Sequence, residues 1–141
     1  MSKLSANVVD CASEQIGGYP QRLRVRTHSF RADVGEDSGS ADSAPSPHDY
    51  FDAALAACKA LTAVWYAKRH AIPLEHVETQ VERDDRDERN GSYHLRVRME
   101  FHGPMTQAQR DALTRAAGAC PIHKLMTRTQ IDIETIAGEV S

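Results

Sequence analysis

The sequence predicts one domain of the α+β class, with antiparallel sheets wrapped around a long buried central helix. Its 141 residues are the size of one ordinary domain, so we interpret residues 1–141 as a single unit. Segments in which apolar and polar residues alternate come in blocks, and so do segments with helical spacing, in the order βββ–α–ββ–αα–β. Strands and helices that come in blocks favour α+β over α/β.

Composition and charge exclude several classes of protein. Apolar residues make up 40% and charged residues 26%, which is typical of a globular chain rather than a disordered one. The net charge of -3 gives no basic footprint for nucleic acid. The N-terminus has no signal-peptide pattern, and the longest charge-poor stretch, 53–67, is too short for a membrane span and contains Lys59. We therefore expect a cytoplasmic protein that binds neither nucleic acid nor membranes.

Three strands are predicted before the central helix. They cover 4–11, 21–26 and 28–34, with a turn at 17–20 that contains two glycines and a proline. In the second strand apolar residues alternate with arginines, which indicates one solvated face. The segment 35–47, rich in Gly, Ser, Asp and Pro, is interpreted as a functional loop within the domain rather than a linker.

The segment 46–70 predicts the central helix. Ser46 can cap it, Pro47 suits its first position, and Pro73 marks its end. Apolar residues surround almost the whole helix and leave only a narrow polar line through Asp52, Lys59 and Tyr66. A helix of this kind is buried on nearly every side, so we expect it to be covered by a wrapped sheet or a second subunit.

The next segments predict a hairpin. Apolar and polar residues alternate in 74–84 and in 92–102, and the highly charged connection between them contains the turn dipeptide Asn90-Gly91. These charges are most simply those of a solvated loop, and a partner surface is the less favoured interpretation.

Two helices and a closing strand complete the prediction. The helix over 106–118 begins with a capping-box pattern formed by Thr106 and Gln109. A short helix follows with Pro121 at its first position, which puts Cys120 at or near its N-cap. The alternating residues of 129–136 predict a final strand.

The three cysteines are Cys11, Cys58 and Cys120. This small odd number argues against a disulfide framework, and the absence of CxxC argues against a thioredoxin motif or a zinc ribbon. A cysteine pair in a reducing compartment is expected to be catalytic, redox-sensing or merely buried. Cys11, at the end of the first predicted strand, is interpreted as structural or incidental.

Local electrostatics favour Cys120 over Cys58 as the reactive thiolate. A helix N-terminus offers unpaired N–H groups and the positive end of the dipole, and His123 and Lys124 add positive potential. Simple packing under a loop is the alternative for Cys120. Cys58 lies in mid-helix, where amides are already bonded, and Lys59 points elsewhere on the helix. A thiolate at Cys58 would need a cation from another segment, and the available suppliers are Arg24, Arg26 and Arg31.

Other chemistries have no support in the sequence. The seven histidines show neither HExxH nor a Cys/His cluster with zinc spacing, so no metal or cofactor is predicted, although a site assembled across space stays open. His94 and His102 are expected to share one solvated strand face. There is no GxSxG elbow for a serine nucleophile and no Gly-rich loop for phosphate.

Two motifs resemble those of the OsmC/Ohr family. One is the stretch 32–66, which runs from the Ser-Pro-rich loop through the cysteine-bearing helix, and the other is ACPIHKLM at 119–126. The order of elements is also similar along nearly the whole chain. The resemblance is greatest to the less characterised OsmC-like branch, in which a histidine and Ala-Asp precede the Ser-Pro-rich loop, here His28 and Ala32-Asp33.

The resemblance implies a fold, an assembly and an activity. The family forms an intertwined homodimer around two long central helices. Its active members reduce hydroperoxides, preferring organic ones, in oxidative-stress defence. By this resemblance Cys58 is the peroxidatic cysteine, which becomes a sulfenic acid, and Cys120 is the resolving cysteine, which forms a disulfide with it. A dithiol reductant, of the dihydrolipoyl type or another, then restores both thiols.

The resemblance also implies a cation beside Cys58. In the family an arginine from an N-terminal strand or loop reaches the peroxidatic sulfur, and Arg31 is the first candidate, followed by Arg24 and Arg26. Active members orient that arginine with an acid ten residues before the cysteine, where this chain has His48, followed by Asp49. A low pKa at Cys120 would help it to leave when the disulfide is reduced.

The alternative hypothesis is a function without catalysis. The protein could be a non-enzymatic member of the family that binds a small ligand near Cys58 or regulates redox partners, with incidental thiols.

Overall fold

The computed structural model describes residues 7–138, and the chain divides into two compact units. One unit extends to Ala54 and the other begins at Leu55. The interpretation of residues 1–141 as one domain stays a prediction.

The first unit contains a three-stranded antiparallel sheet in the order β1-β2-β3. The strands are β1 (Asp10–Ser13), β2 (Gln21–Val25) and β3 (His28–Ala32). Leu23 lies opposite Cys11 on one side and Phe30 on the other, and it is half-buried while Arg22 and Arg24 are exposed. The predicted alternation of β2 is therefore confirmed. The first strand begins later than predicted, at Asp10, and 4–6 of the predicted strand lie outside the described residues.

Asp33 organises the loop that follows β3. It is 2% exposed, and its carboxylate accepts hydrogen bonds from the Val34 amide at 2.8 Å, the Ser40 hydroxyl at 2.6 Å, and the Ser43 amide and hydroxyl at 2.9 and 2.7 Å. The Ser40 hydroxyl, followed by the other donors, holds the pKa of Asp33 far below its ordinary value. Asp33 thus stabilises the conformation of the loop 35–47, which the sequence predicts to be functional.

The long helix α1 (Pro47–Arg69) begins and ends within one residue of its predicted limits. Ser46 and Asp49 form a reciprocal cap, in which the Ser46 hydroxyl accepts from the Asp49 amide and the Asp49 carboxylate accepts from the Ser46 amide. In its first turn Tyr50 packs edge-on against Phe30, with ring centroids 5.4 Å apart, and its hydroxyl donates to the Arg31 carbonyl. These contacts join the start of α1 to β3.

The polar and apolar sides of α1 are distributed differently from the prediction. Asp52 and Lys59, which belong to the predicted polar line, are buried. Phe51, Leu61 and Trp65 are 46%, 68% and 56% exposed. The cover expected over this apolar side is therefore not supplied by the described part of the chain.

The second unit contains a two-stranded hairpin and two further helices. These elements are β4 (His76–Asp84), β5 (His94–His102), α2 (Gln107–Gly118) and α3 (Pro121–Arg128). The hairpin pairs Val81 with Val97 and has one half-buried face. Thr106 and Gln109 form the predicted capping box at the start of α2. The buried core of this unit combines alanines of α1 with Leu113 and Ala117 of α2.

The predicted closing strand over 129–136 is wrong. The chain from Thr129 to Gly138 has no regular structure, and Ile131, Ile133 and Ile136 are 58%, 84% and 82% exposed. Alternation creates a strand only where a sheet edge offers pairing groups, and no described strand of this chain pairs with the segment. The described order is therefore βββ–α–ββ–αα.

Candidate functional site

The second unit brings Cys58 and Cys120 together. Cys58 lies in the middle of α1, and Cys120 is the N-cap residue of α3 with Pro121 at the first helical position. The two thiols are close enough for a hydrogen bond, and both are free. Cys11 is exposed on β1, where its sulfur contacts the Gln21 side chain at 3.8 Å. The two cysteines expected to act together are thus neighbours, although 62 positions separate their numbers in the sequence.

A backbone amide of α3 points at Cys58. The Ile122 N–H donates to Cys58 Sγ at 3.5 Å. The amides of the helix that contains Cys58 are already bonded, so the sequence predicted no donor for its sulfur. The donor comes from another helix, which no local pattern indicates. A thiolate accepts such a hydrogen bond better than a thiol, so this N-terminal turn suits a reactive sulfur at Cys58.

Cys120 differs from the expected low-pKa thiolate. Its side chain is fully buried, and burial raises the pKa of the Cys120 thiol. The His123 amide and the Lys59 charge act in the opposite direction but do not reverse the shift. The expectation that a low pKa at Cys120 speeds recycling is therefore wrong, because desolvation outweighs the helix terminus.

Lys59 lies in this centre rather than elsewhere, which corrects the sequence analysis. It is 5% exposed, and its Nζ donates to the Ala117 carbonyl at 3.0 Å and lies 3.0 Å from His123 Nδ1. Burial, then the charges of Lys59 and Arg128, lower the pKa of His123. His123 is thus neutral near pH 7 and supplies none of the positive potential expected from it.

In the first unit Arg31 is held by Glu14. Arg31 Nε donates to one Glu14 carboxylate oxygen at 2.6 Å, and a terminal guanidinium nitrogen donates to the other at 3.0 Å. Arg31 also donates to the Ser43 carbonyl at 3.0 Å. The hydrogen bond from Arg31 lowers the pKa of Glu14. No local pattern predicts the pairing of Glu14 with Arg31, because the two residues are 17 positions apart and only the folding of the sheet brings them together.

The other candidates from the first unit lie at the surface. Arg24 and Arg26 are exposed. Asp49 belongs to the N-terminal cap of α1, and His48 is exposed in its first turn. Glu14 is thus an acid that binds Arg31 in this structure, and the roles expected of His48 and Asp49 stay predictions.

An exposed group of possible metal ligands lies on the hairpin. Among the described residues, Glu78, Glu100 and His102 place three donor atoms within 4.8 Å of one another. His102 Nε2 already lies 3.0 Å from a Glu78 oxygen, and this contact lowers the pKa of Glu78. His94 and His102 are both exposed, as expected for one strand face. No local motif indicates this cluster, because its members come from two paired strands.

The family model described as "OsmC-like protein" matches residues 35–136. No curated protein sequence matches. None of the described helices is long and apolar enough to span a membrane.

Several solved structures are similar at low sequence identity. The OsmC-like protein from Mycoplasma pneumoniae has a TM-score of 0.67 and 16% identity, with 86% of each chain covered. The organic hydroperoxide resistance protein OsmC from Legionella pneumophila has a TM-score of 0.63 and 18% identity, covering 90% of this chain and 93% of that one. The organic hydroperoxide resistance protein OhrB of Bacillus subtilis has a TM-score of 0.58 and 19% identity, covering 88% and 93%.

These structures share the mixed α and β fold with antiparallel strands, and so the predicted α+β class is confirmed. The family match extends over more than half of the sequence and includes Cys58 and Cys120. The chain belongs to the OsmC-like protein family.

Proposed function

We propose that the protein is a thiol-dependent peroxidase that reduces hydroperoxides, preferring organic ones, in oxidative-stress defence. The observation that carries this proposal is the meeting of two free thiols, Cys58 and Cys120, at the N-terminus of α3. The names of two similar structures, both organic hydroperoxide resistance proteins, support the substrate class.

In the first step the Cys58 thiolate attacks one oxygen of the hydroperoxide. The O–O bond breaks, the departing alkoxide takes a proton and leaves as an alcohol, and Cys58 becomes a sulfenic acid. The Ile122 N–H supports this step by donating to the sulfur. Arg31 is the proposed cation for the thiolate, with His48 and Asp49 as the candidates for contacting the peroxide or orienting the arginine.

In the second step Cys120 resolves the sulfenic acid. Its deprotonated sulfur attacks Cys58 Sγ, the S–S bond forms, and the S–OH bond breaks. Hydroxide leaves as water with the proton that Cys120 released. An external dithiol then attacks the disulfide, is itself oxidised, and returns both cysteines as thiols. Thiols that lie close enough to influence each other's titration need little backbone movement to reach disulfide geometry.

The proposed assembly is a homodimer. The exposed apolar side chains of α1, together with those of the C-terminal segment, form surface that a monomer rarely leaves in water. They include Phe51, Leu61, Trp65, Ile131, Ile133 and Ile136. Light scattering during gel filtration measures the molar mass, and twice the 15.6 kDa of one chain is expected.

The test is a peroxide titration of the thiols, followed by intact mass with and without dithiothreitol. In the native chain one equivalent of peroxide should give a Cys58–Cys120 disulfide that dithiothreitol reverses. Cys58→Ser should abolish turnover, and Cys120→Ser should allow one oxidation without recycling by that disulfide. Cys11→Ser is the matched control and should behave as the native chain.

One result would overturn the proposal. If the native chain consumes peroxide no faster than Cys58→Ser, the protein is not a peroxidase. A non-enzymatic role in ligand binding or redox regulation is then favoured, with the thiols incidental.

A further inference from the structure

A buried lysine stands beside the two cysteines, and the proposed mechanism does not use it. Lys59 is 5% exposed and directly follows Cys58 in α1. Lysine is rarely buried so completely, because an ammonium loses hydration that only good partners replace. Its two partners are the Ala117 carbonyl and His123 Nδ1, each at 3.0 Å. Neither partner is a carboxylate. They accept hydrogen bonds from the ammonium but carry no negative charge that would neutralise it.

The ring of His123 has one protonation state that fits this contact. An ammonium donates hydrogen bonds and accepts none, so Nδ1 has to be the acceptor and the ring has to be neutral. Burial and the nearby charges lower the pKa of His123, in agreement with a neutral ring. His123 therefore holds the ammonium in place without adding a second charge.

The Ala117 carbonyl links the Lys59 ammonium to the backbone of Cys120. This oxygen accepts from Lys59 Nζ and also from the Cys120 amide, at 3.0 and 3.3 Å. It belongs to the last turn of α2, where carbonyls lack helical partners and the helix dipole favours a cation. Lys59 and the backbone of Cys120 thus meet at one oxygen.

We propose that Lys59, held by Ala117 and His123, is a positioning residue that prepares Cys120 for the resolving step. The inference rests on the proposed function. A fully buried thiol resists deprotonation, and resolution requires the deprotonated sulfur. A fixed positive charge beside Cys120 opposes the effect of burial and stabilises the attacking sulfur.

A comparison of the groups around Cys120 shows why Lys59 is the residue that we propose to stabilise its deprotonated sulfur. Helix α1 contributes Cys58 and Lys59, α3 contributes the amide of His123, and α2 contributes the Ala117 carbonyl. Arg128 acts on the His123 ring. During resolution Cys58 is a neutral sulfenic acid and the His123 ring is neutral. Among the groups that act on the Cys120 sulfur, Lys59 is therefore the one that carries a charge.

The first measurement follows oxidation in two stages. After one equivalent of peroxide, samples are quenched at intervals, dimedone traps the Cys58 sulfenic acid, and mass spectrometry counts the disulfide. At pH 7, Lys59→Met should slow disulfide formation by about tenfold or more, because each unit of thiol pKa is a factor of ten in thiolate. Formation of the sulfenic acid should stay within about twofold of native. Lys68→Met, an exposed lysine of the same helix, is the control and should change neither rate.

The second measurement reads the thiol directly and needs no peroxide. In a Cys11→Ser, Cys58→Ser background, the ultraviolet absorbance of the thiolate reports the titration of Cys120. Adding Lys59→Met should shift this titration upward by about one unit, whereas Lys59→Arg, which keeps the charge, should restore most of it. If Lys59→Met does not fold, His123→Leu removes one partner of the ammonium and should give a smaller upward shift.

The two proposals fail in different ways. A native chain whose Cys58 is not oxidised by peroxide overturns the proposed function, and the Cys120 titration still decides whether Lys59 acts on that sulfur. A folded Lys59→Met protein with unchanged disulfide formation and unchanged titration overturns the role of Lys59. Equal slowing of both oxidation stages also overturns it, because the lysine would then serve the structure rather than Cys120.

Discussion

The two units of the molecule treat buried charge in opposite ways. In the first unit the Asp33 carboxylate accepts four hydrogen bonds, all from residues that follow it within ten positions. In the second unit Lys59 is held by groups 58 and 64 positions away, beside two free thiols. Both charges are buried, but one is surrounded by its own loop and the other by two distant helices.

The difference distinguishes a structural framework in the first unit from the centre in the second unit that we propose to be reactive. The donors to the Asp33 carboxylate come from the loop that follows it, so the charge of Asp33 stabilises the folded conformation of that loop. The Lys59 ammonium has neutral partners, so its charge still acts on its surroundings, which include Cys120. We infer that the polar network of the first unit mainly serves stability, whereas the second unit takes its stability from apolar packing and keeps its charge for chemistry.

The largest effect on stability is expected from Leu113→Ala. Leu113 is fully buried in α2, so its truncation leaves a cavity in the core of the second unit. The free energy of unfolding should fall by about 2–5 kcal/mol. Urea denaturation followed by circular dichroism measures this change.

Leu125→Ala is the matched control, because Leu125 is 43% exposed on α3. Its cost should be under about 1.5 kcal/mol, since much of that side chain stays in water. Equal costs for the two leucines would mean that the second unit does not depend on its apolar core.

The next largest effect is expected from Asp33→Asn in the first unit. The amide cannot accept from all four donors as the carboxylate does, so the loop after β3 loses part of its support. The melting temperature should fall by about 5 °C or more at pH 7. Asp37→Asn, an exposed acid of the short 3-10 turn in that loop, should shift it by less than about 1 °C.

The pH dependence of the same variant identifies the carboxylate as the cause. The folded pKa of Asp33 is lowered, so its contribution is complete above the unfolded pKa of about 4 and is lost as the pH falls toward the folded value. The stability difference between the native chain and Asp33→Asn should therefore shrink below about pH 4. A difference that stays constant down to about pH 2 would attribute the loss to side-chain shape rather than charge.

Local signals were sufficient to predict most of the fold. The Ser46-Pro47 start of α1 and the capping box at Thr106 lie within a few positions of the turns that they begin, so the sequence contains the whole motif. Period-two alternation also placed β2 and the β4–β5 hairpin. The strand predicted over 129–136 failed because alternation describes the faces of a strand and not the presence of a pairing edge.

The centre around the cysteines could be predicted only in part. The resemblance paired Cys58 with Cys120, but the burial that raises the pKa of Cys120 depends on packing that no local pattern reports. Lys59 was set aside for the same reason, because its partners come from α2 and α3. Charges held by distant residues are therefore what sequence reasoning missed in both units, Glu14 being the example in the first.

The smallest effect is expected from Glu14→Gln, and it tests whether Arg31 belongs to the framework or to the chemistry. Glu14 binds one edge of the Arg31 guanidinium with both of its carboxylate oxygens. Without this carboxylate, the contacts with Ser43 are those that still hold the guanidinium. If Arg31 supplies the cation for Cys58, the rate of sulfenic acid formation should fall by about twofold to fivefold in Glu14→Gln, and further in Arg31→Gln. Stopped-flow peroxide consumption measures both rates.

Arg22→Gln is the control for this last comparison, because Arg22 approaches the same carboxylate at 3.9 Å with a side chain 60% exposed. It should leave the rate unchanged. A native rate in Arg31→Gln would remove Arg31 from the mechanism and leave its pair with Glu14 as part of the framework around Asp33. A slow Arg31→Gln beside a native Glu14→Gln would keep Arg31 as the cation and show that the Ser43 contacts suffice to position it. Slow rates in both variants would mean that Arg31, held by Glu14, serves the oxidation of Cys58, whereas Lys59 is proposed to serve Cys120.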